Sequence, residues 1–273
     1  MIDQQELLNE VTRLPTSSGA AMRLLEVMKS PQVSASDLGH VIEADPALST
    51  QVIRMANAPY YGQSRRVASA HHAVTVLGFA LVRSLAANAA FGFNAGTTRV
   101  VPDGWWEHSL ATAATSSIIA QQVGYPTPDA FSTGLLLDLG SALLFRYLGR
   151  EYEAVQRTVA NGDQTLVLAE HRAWGLTHCD VGGQALRKMR FPDDVADAVS
   201  FHHHMPDPTT DPLTRIVFAA DLIAHEIDGT MPESAHTVEA AFPAIGFANL
   251  SVGAITNAAI EEAAKLSGFL AVA

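Results

Sequence analysis

Residues 134 to 145 read Gly-Leu-Leu-Leu-Asp-Leu-Gly-Ser-Ala-Leu-Leu-Phe, the most apolar segment of the chain, with a single charge at Asp138. The run of leucines predicts a helix in the core of a helical protein. An isolated carboxylate in such a core is costly, so it must be paired, protonated or bound to a metal ion. We therefore expect both fold and function to be organised around Asp138.

The rest of the chain predicts helix after helix. Ser17 and Ser18 are candidate caps for a second helix, and Ser34 with Asp37 has the pattern of a capping box. Asp45-Pro46 has the residues that helices prefer at their start, and Thr127-Pro128 opens the helix that contains Asp138. Patterns typical of strands are few, and no internal repeat has a fixed period. The predicted fold class is all-α, a multi-helix bundle.

Residues 94–104 contain glycines, threonines and Pro102, which predict a linker between two helical parts. The predicted organisation is an N-terminal helical subdomain at 5–95 and a second helical subdomain at 103–228. A C-terminal tail at 229–273, rich in alanine, is expected to form two helices packed on the second subdomain.

The net charge of −11 and the pI near 5.4 disfavour nucleic-acid binding, which needs a basic surface. The single cysteine, Cys179, excludes an internal disulfide and a cysteine-based zinc site. The polar N-terminus is unlike a signal peptide, and the longest apolar run, Val74 to Phe93, is broken by Arg83 and Asn88. We expect a cytoplasmic protein without a membrane span.

The candidate functional residues are histidines and carboxylates of the second half. They are His108, Asp138, His178, the run His202 to His204, and Asp221. Imidazole nitrogen and carboxylate oxygen suit divalent metals such as manganese, iron, zinc or magnesium, which can assist phosphoester hydrolysis. Taken singly, each residue can also be purely structural. A histidine can be hydrogen-bonded in the core or lie at the surface, an aspartate can be paired, and the histidine run can lie in solvent at a helix C-terminus.

Other kinds of site find little support. The chain has no Gly-x-Ser-x-Gly elbow of a serine hydrolase. It also has no glycine-rich phosphate loop followed by Lys-Ser or Lys-Thr.

The order of these residues resembles the HD superfamily of metal phosphohydrolases, in which a histidine, a His-Asp doublet and a distal aspartate hold the metal. Further segments resemble the HDOD domain, the HD-related output domain of bacterial signalling proteins. The segments of the first half are Leu14-Pro15, Asp45-Pro46-Ala-Leu, Arg54-Met-Ala-Asn-Ala-Pro59-Tyr-Tyr and Ala73-Val-Thr-Val-Leu-Gly78. Those of the second half are Glu170-His-Arg-Ala-Trp-Gly175, His178-Cys-Asp-Val-Gly-Gly183 and Phe191-Pro192, followed by His202-His203.

The chain departs from the HD pattern at one position, because Leu137 replaces the histidine of the doublet. The usual Gly-Lys after the doublet is replaced by Gly140-Ser141. The resemblance implies a catalytically degenerate HD domain, with residues 103–228 as an HD-like core. Its relic pocket would consist of His108, Asp138, His178, His202, His203 and Asp221.

The function expected from the resemblance is a non-catalytic regulatory module of signal transduction. It would act through a signalling protein partner or a ligand in the relic pocket, as a monomer or a homodimer, without a cofactor. Two alternatives stay open. One is a metal-dependent phosphohydrolase or phosphodiesterase with an altered ligand set that holds manganese, iron, zinc or magnesium. The other is a helical scaffold whose polar residues are all structural.

Overall fold

The computed structural model describes residues 3–13, 19–93, 100–160, 165–230 and 237–268. Within these ranges all regular structure is helical and there is no strand, which confirms the predicted all-α class. The chain divides into two compact units. The site unit comprises residues 1–13 and 99–260, and the smaller unit comprises residues 14–98 and 261–273. The boundaries expected from the sequence stay a prediction, and most of the expected linker lies outside the described residues.

The α-helices of the described residues are numbered in chain order. They are α1 (Gln4–Val11), α2 (Gly19–Val27), α3 (Ala35–Glu43), α4 (Pro46–Ala56), α5 (Ala70–Ala90), α6 (Trp105–Val123), α7 (Thr127–Gly134), α8 (Leu139–Leu148), α9 (Arg150–Ala160), α10 (Leu166–Trp174), α11 (His178–Lys188), α12 (Asp193–Phe201), α13 (Pro212–Asp228), α14 (Val238–Ala244) and α15 (Val252–Ser267). A short 3-10 turn follows α4 at Pro59–Tyr61.

The starts of α3 and α4 confirm the predicted caps. The Asp37 amide donates to the Ser34 hydroxyl at 3.2 Å, and the Ser34 amide donates to the Asp37 carboxylate at 3.0 Å. At α4 the Asp45 carboxylate accepts from two first-turn amides at 2.9 and 3.0 Å. Each bond satisfies a helix N–H that has no partner within its own helix. The caps expected at Ser17 and Ser18 lie outside the described residues.

In the smaller unit, α2, α3 and α4 all pack against α5. Helix α5 consists of two helical segments joined across a kink at Gly78, where φ is +77°. This element and the stretch Thr127–Leu148 are long and apolar enough to cross a membrane. However, 67% and 72% of their apolar windows are buried inside the protein, as in core helices.

Asp138 does not lie inside a continuous helix, and this part of the prediction is wrong. Helix α7 ends at Gly134, and Asp138 occupies the position before α8, with φ −94° and ψ 21°. Two close helix contacts accompany the break. A Cβ on Gly134 would lie 2.8 Å from Ala113 Cα of α6, and a Cβ on Gly140 would overlap the His178 carbonyl oxygen of α11. The two glycines thus let α7 and α8 approach different neighbours, which requires a change of direction between them.

The turn is held at the backbone of Asp138. Its carbonyl oxygen accepts from the Trp105 indole N–H at 2.9 Å and from the Ser141 hydroxyl at 2.8 Å. These bonds fix the main chain and leave the carboxylate free for other partners. The two helices predicted in the tail are present as α14 and α15, and α14 packs against α13.

Candidate metal centre

The six candidate residues predicted from the sequence converge in the site unit. His108 comes from the first turn of α6 and Asp138 from the start of α8. His178 is the first residue of α11, the end of α12 provides His202 and His203, and Asp221 comes from the middle of α13. His204, the third member of the histidine run, is exposed and lies outside the convergence.

Asp138 lies at the centre of this arrangement. Its Oδ2 is 3.3 Å from His108 Nε2. Its Oδ1 is 3.7 Å from His178 Nε2 and 3.9 Å from His202 Nε2. The carboxylate is 16% exposed, so it is compensated by imidazoles rather than by water alone. The Asp138 carboxylate therefore has imidazole partners, and pairing and metal binding both stay open among the states expected from the sequence.

One set of donors, the carboxylate group, consists of His108, Asp138 and Asp221. Its ligand atoms lie within 4.8 Å of one another, with His108 Nε2 3.1 Å from Asp221 Oδ1. Nitrogen and oxygen atoms at this spacing can share one divalent cation after small shifts, because bonds of about 2.0–2.2 Å to one ion bring its ligands close together.

A second set of donors, the imidazole group, consists of His178, Cys179, His202 and His203. Its ligand atoms also lie within 4.8 Å of one another, and the Nε2 atoms of His178 and His203 are 2.9 Å apart. Two ring nitrogens this close need either a proton or a cation between them. The structure therefore brings Cys179 into a possible metal site, which the sequence analysis did not expect.

Three of the histidines are oriented by acceptors behind the ring. His178 Nδ1 is 2.7 Å from Glu170 Oε2, His108 Nδ1 is 2.7 Å from Asp228 Oδ2, and His202 Nδ1 is 2.7 Å from the Val199 carbonyl oxygen. An acceptor at Nδ1 favours the tautomer that carries its proton there. The three Nε2 atoms then face Asp138 and can serve as metal ligands when the rings are neutral. Carboxylate or carbonyl partners behind a histidine are typical of metal sites, so the residues present fit a divalent metal ion.

Glu170 is fully buried and holds the imidazole group in place. Besides the ring of His178, it accepts from the His178 backbone amide at 2.8 Å and from the Tyr152 hydroxyl at 2.6 Å. A buried carboxylate with three donors is fully satisfied and rigid. The sequence analysis quoted Glu170 only as part of a family segment and missed this role.

Comparison with known proteins identifies the family. The family model of the HDOD domain matches residues 14–205. This chain belongs to the HDOD family. The HDOD chain spans less than half the length of the curated relatives it matches. One of them is an uncharacterized protein of Treponema pallidum that is 21% identical over 232 residues, covering 82% of this chain and 44% of the relative.

Three solved structures share the HDOD fold over nearly the whole chain. An HDOD domain protein of unknown function from Geobacter sulfurreducens has a TM-score of 0.75 at 22% identity, with 98% and 97% of the two chains covered. A candidate phosphohydrolase from Shewanella amazonensis has a TM-score of 0.74 at 20% identity, with 98% of each chain covered. A candidate signal transduction protein from Marinobacter aquaeolei has a TM-score of 0.72 at 24% identity, with 97% of this chain and 60% of the other chain covered. At these identities the likeness shows the fold alone.

The charges of the HDOD site alternate. Burial lowers the pKa of His108, but hydrogen bonds to Asp221 and Asp228 outweigh burial and raise it well above its usual value. Burial raises the pKa of Asp221, but the interaction with His225 and the hydrogen bond with His108 outweigh burial and hold it below its usual range. Protonated imidazole thus stands between carboxylates in the metal-free protein.

In the imidazole group, burial raises the pKa of Cys179, but the charges of His178 and His202 outweigh burial and lower it to about 6. Burial lowers the pKa of His202, but the Cys179 thiolate outweighs burial and raises it to about 9. Burial, and then the charge of His202, hold the pKa of His203 well below its usual value. A neutral His203 offers a free lone pair, as a metal ligand must.

A cavity of about 730 Å³ opens over both groups. Its described lining contains four carboxylates, Asp103, Glu107, Asp138 and Asp228, and no lysine or arginine. It also contains His225, which the sequence analysis missed together with Asp228. The signal for His225 was its spacing of four residues from Asp221, since such residues share one face of a helix.

Leu137 is buried, with 1% of its surface exposed, and belongs to the turn between α7 and α8. The HD pattern has a histidine at this position, and a leucine has no atom that can bind a metal. By the resemblance to the HD pattern, Asp138 is the aspartate of the doublet, and Leu137 stands at the position of its histidine.

Proposed function

We propose that this HDOD chain is a regulatory module of signal transduction that holds a divalent metal ion in its His–Asp pocket. The ion and the cavity together form a binding site for a small ligand. A protein partner then reads the state of the pocket from the helical surface, and no phosphoester is hydrolysed. A signal transduction protein among the structural neighbours is in line with this role.

The observation that carries the proposal is the buried Leu137 in place of the doublet histidine. Hydrolysis needs the complete ligand geometry, because misplacement on the order of 1 Å is enough to disable a catalytic site. The cavity lining supports the same view. With four carboxylates and no lysine or arginine in its described part, it offers neither of these cations to a transferring phosphoryl group.

The chain's own residues support metal retention without catalysis. Glu170, Asp228 and the Val199 carbonyl hold three imidazoles with their Nε2 atoms towards Asp138. Such partners orient the ligands and contribute to metal affinity. A bound divalent ion would supply positive charge at the base of an otherwise acidic cavity.

Turnover by metal-loaded protein tests this function. The full chain, purified without chelator and loaded with Mn²⁺, is assayed on bis(p-nitrophenyl) phosphate and on p-nitrophenyl phosphate. The Asp138→Ala variant serves as the blank, because it removes the central carboxylate. We expect equal rates for both proteins. Manganese-dependent turnover that disappears in Asp138→Ala would overturn the regulatory proposal.

That contrary result would establish the second candidate, a metal-dependent phosphohydrolase. One observation favours it: the two oxygens of Asp138 face different donor sets, His108 on one side and His178 with His202 on the other. Such an arrangement can place two metal ions about 3.5–4 Å apart, as in many phosphoester hydrolases. A candidate phosphohydrolase is among the structural neighbours.

A further inference from the structure

We propose that His225 of α13 takes the place of the missing doublet histidine as a metal ligand of the carboxylate group. This inference rests on the proposed function, because it requires that the pocket bind a metal ion. His225 lies outside the HD pattern, four positions after the distal aspartate Asp221. With it, the carboxylate group again has four donor residues.

The first support is the geometry of α13. Asp221 and His225 are one helical turn apart, and His225 Nε2 lies 3.7 Å from Asp221 Oδ2. The rings of His225 and His108 are neighbours as well, with centroids 4.6 Å apart. His225 thus lies beside two members of the carboxylate group, and its side chain is only 13% exposed.

The second support is the orientation of the ring. His225 Nδ1 is 2.5 Å from the Thr230 hydroxyl oxygen, and that hydroxyl donates to Asp228 Oδ1. The other oxygen of Asp228 accepts from His108 Nδ1. One carboxylate therefore orients both rings, directly for His108 and through Thr230 for His225. Both Nε2 lone pairs are left for a cation, as they are in established metal sites.

The third support is the chemistry of the resulting set. The HD pattern combines two histidines with two aspartates. With His225, this chain again has two imidazoles, His108 and His225, and two carboxylates, Asp138 and Asp221. The imidazole that is missing at position 137 is thereby replaced by an imidazole from another helix. Two nitrogen and two oxygen donors suit manganese, iron and zinc.

Zinc titrations of four proteins test the inference. They are wild type, His225→Ala, the exposed-histidine control His171→Ala, and the double variant Leu137→His/His225→Ala. Each full-length protein is stripped with chelator and followed by calorimetry. We expect His225→Ala to weaken the carboxylate-group site by at least about 10- to 100-fold, and His171→Ala to leave it unchanged. The double variant should recover most of the lost affinity, because it restores the doublet histidine.

The outcomes separate the two proposals. Wild type that binds no zinc would overturn both the metal-binding function and the role of His225. Wild type that binds zinc, with unchanged affinity in His225→Ala, would overturn the role of His225 alone. If His225→Ala does not fold, long-range 1H–15N spectra of wild type decide. Zinc must then shift the Nε2 signal of His225, and an unmoved signal would contradict the inference.

Discussion

The two donor groups around Asp138 differ in what surrounds them. The imidazole group reaches the cavity through His178 and His203, whereas its orienting residue Glu170 is fully buried. The carboxylate group reaches the same cavity through His108 and Asp138, and its orienting residue Asp228 lines the cavity with 22% of its side chain exposed. The residue behind the imidazole group is therefore fixed by packing, whereas the one behind the carboxylate group is open to the cavity. We expect the carboxylate group to tolerate an exchange of ligands more readily.

The largest expected effect comes from removing the residue that the two groups share. Asp138→Ala takes away a donor from both groups at once, so metal affinity should fall by more than about 100-fold, or roughly 2.7 kcal/mol. Calorimetric zinc titration measures this, with the exposed Asp129→Ala as control. A loss of affinity as small as that of the control would mean that Asp138 binds no metal.

The second prediction concerns the glycine contact that supports the imidazole group. A Cβ at residue 140 would overlap the His178 carbonyl oxygen and lie 2.7 Å from the Gly182 nitrogen. Gly140→Ala should therefore destabilise the protein by about 1–3 kcal/mol or more. Gly253→Ala is the matched control, because a Cβ there meets nothing within 4 Å and alanine favours a helix. Urea unfolding that gives the same stability for both variants would contradict the close contact of α8 and α11.

The third prediction isolates the residue that orients His178. Glu170→Gln should weaken zinc binding by about 10- to 100-fold, because the amide is a poorer acceptor for the His178 N–H groups. Tyr152→Phe removes only the third donor to Glu170 and leaves its bonds to His178 in place. We expect this control to retain most of the affinity. Equal losses in the two variants would show that general destabilisation, not orientation, is responsible.

The smallest effect concerns pH. The fold raises the pKa of His108, with Asp221 and Asp228 outweighing burial. In the metal-free protein the stability gained from protonated His108 is full below about pH 6.5 and is lost as pH rises through the folded pKa. The stability difference between wild type and His108→Gln should therefore shrink from pH 6 to pH 9 in guanidinium unfolding. A difference that grows with pH would mean that His108 is neutral in the fold.

Local signals made much of the fold predictable. The caps of α3 and α4 depend on residues two or three positions apart, so Ser34 and Asp45 could be placed from the sequence. The turn before α8 could not be predicted from the sequence. It depends on Gly134 meeting α6 and Gly140 meeting α11, which are contacts between helices distant in sequence.

The candidate site was predictable in part for the same reason. Histidines and aspartates that match the HD pattern were found by their order along the chain. The residues behind the histidines were not predictable, because Glu170 and Asp228 resemble ordinary surface acids until the fold brings them to the rings of His178 and His108. The substitution at Leu137 could be recognised from the sequence alone. The role that we propose for His225 in its place became visible only from the geometry of α13.

The metal content of the wild-type protein is the most direct test of the central claim. The full chain is purified without chelator, dialysed, and analysed by inductively coupled plasma mass spectrometry. Because buried imidazole and carboxylate ligands retain a divalent ion through dialysis, we predict about one ion of manganese, iron or zinc per chain, or two if both groups are filled. A content no higher than that of Asp138→Ala would contradict a metal centre at this site.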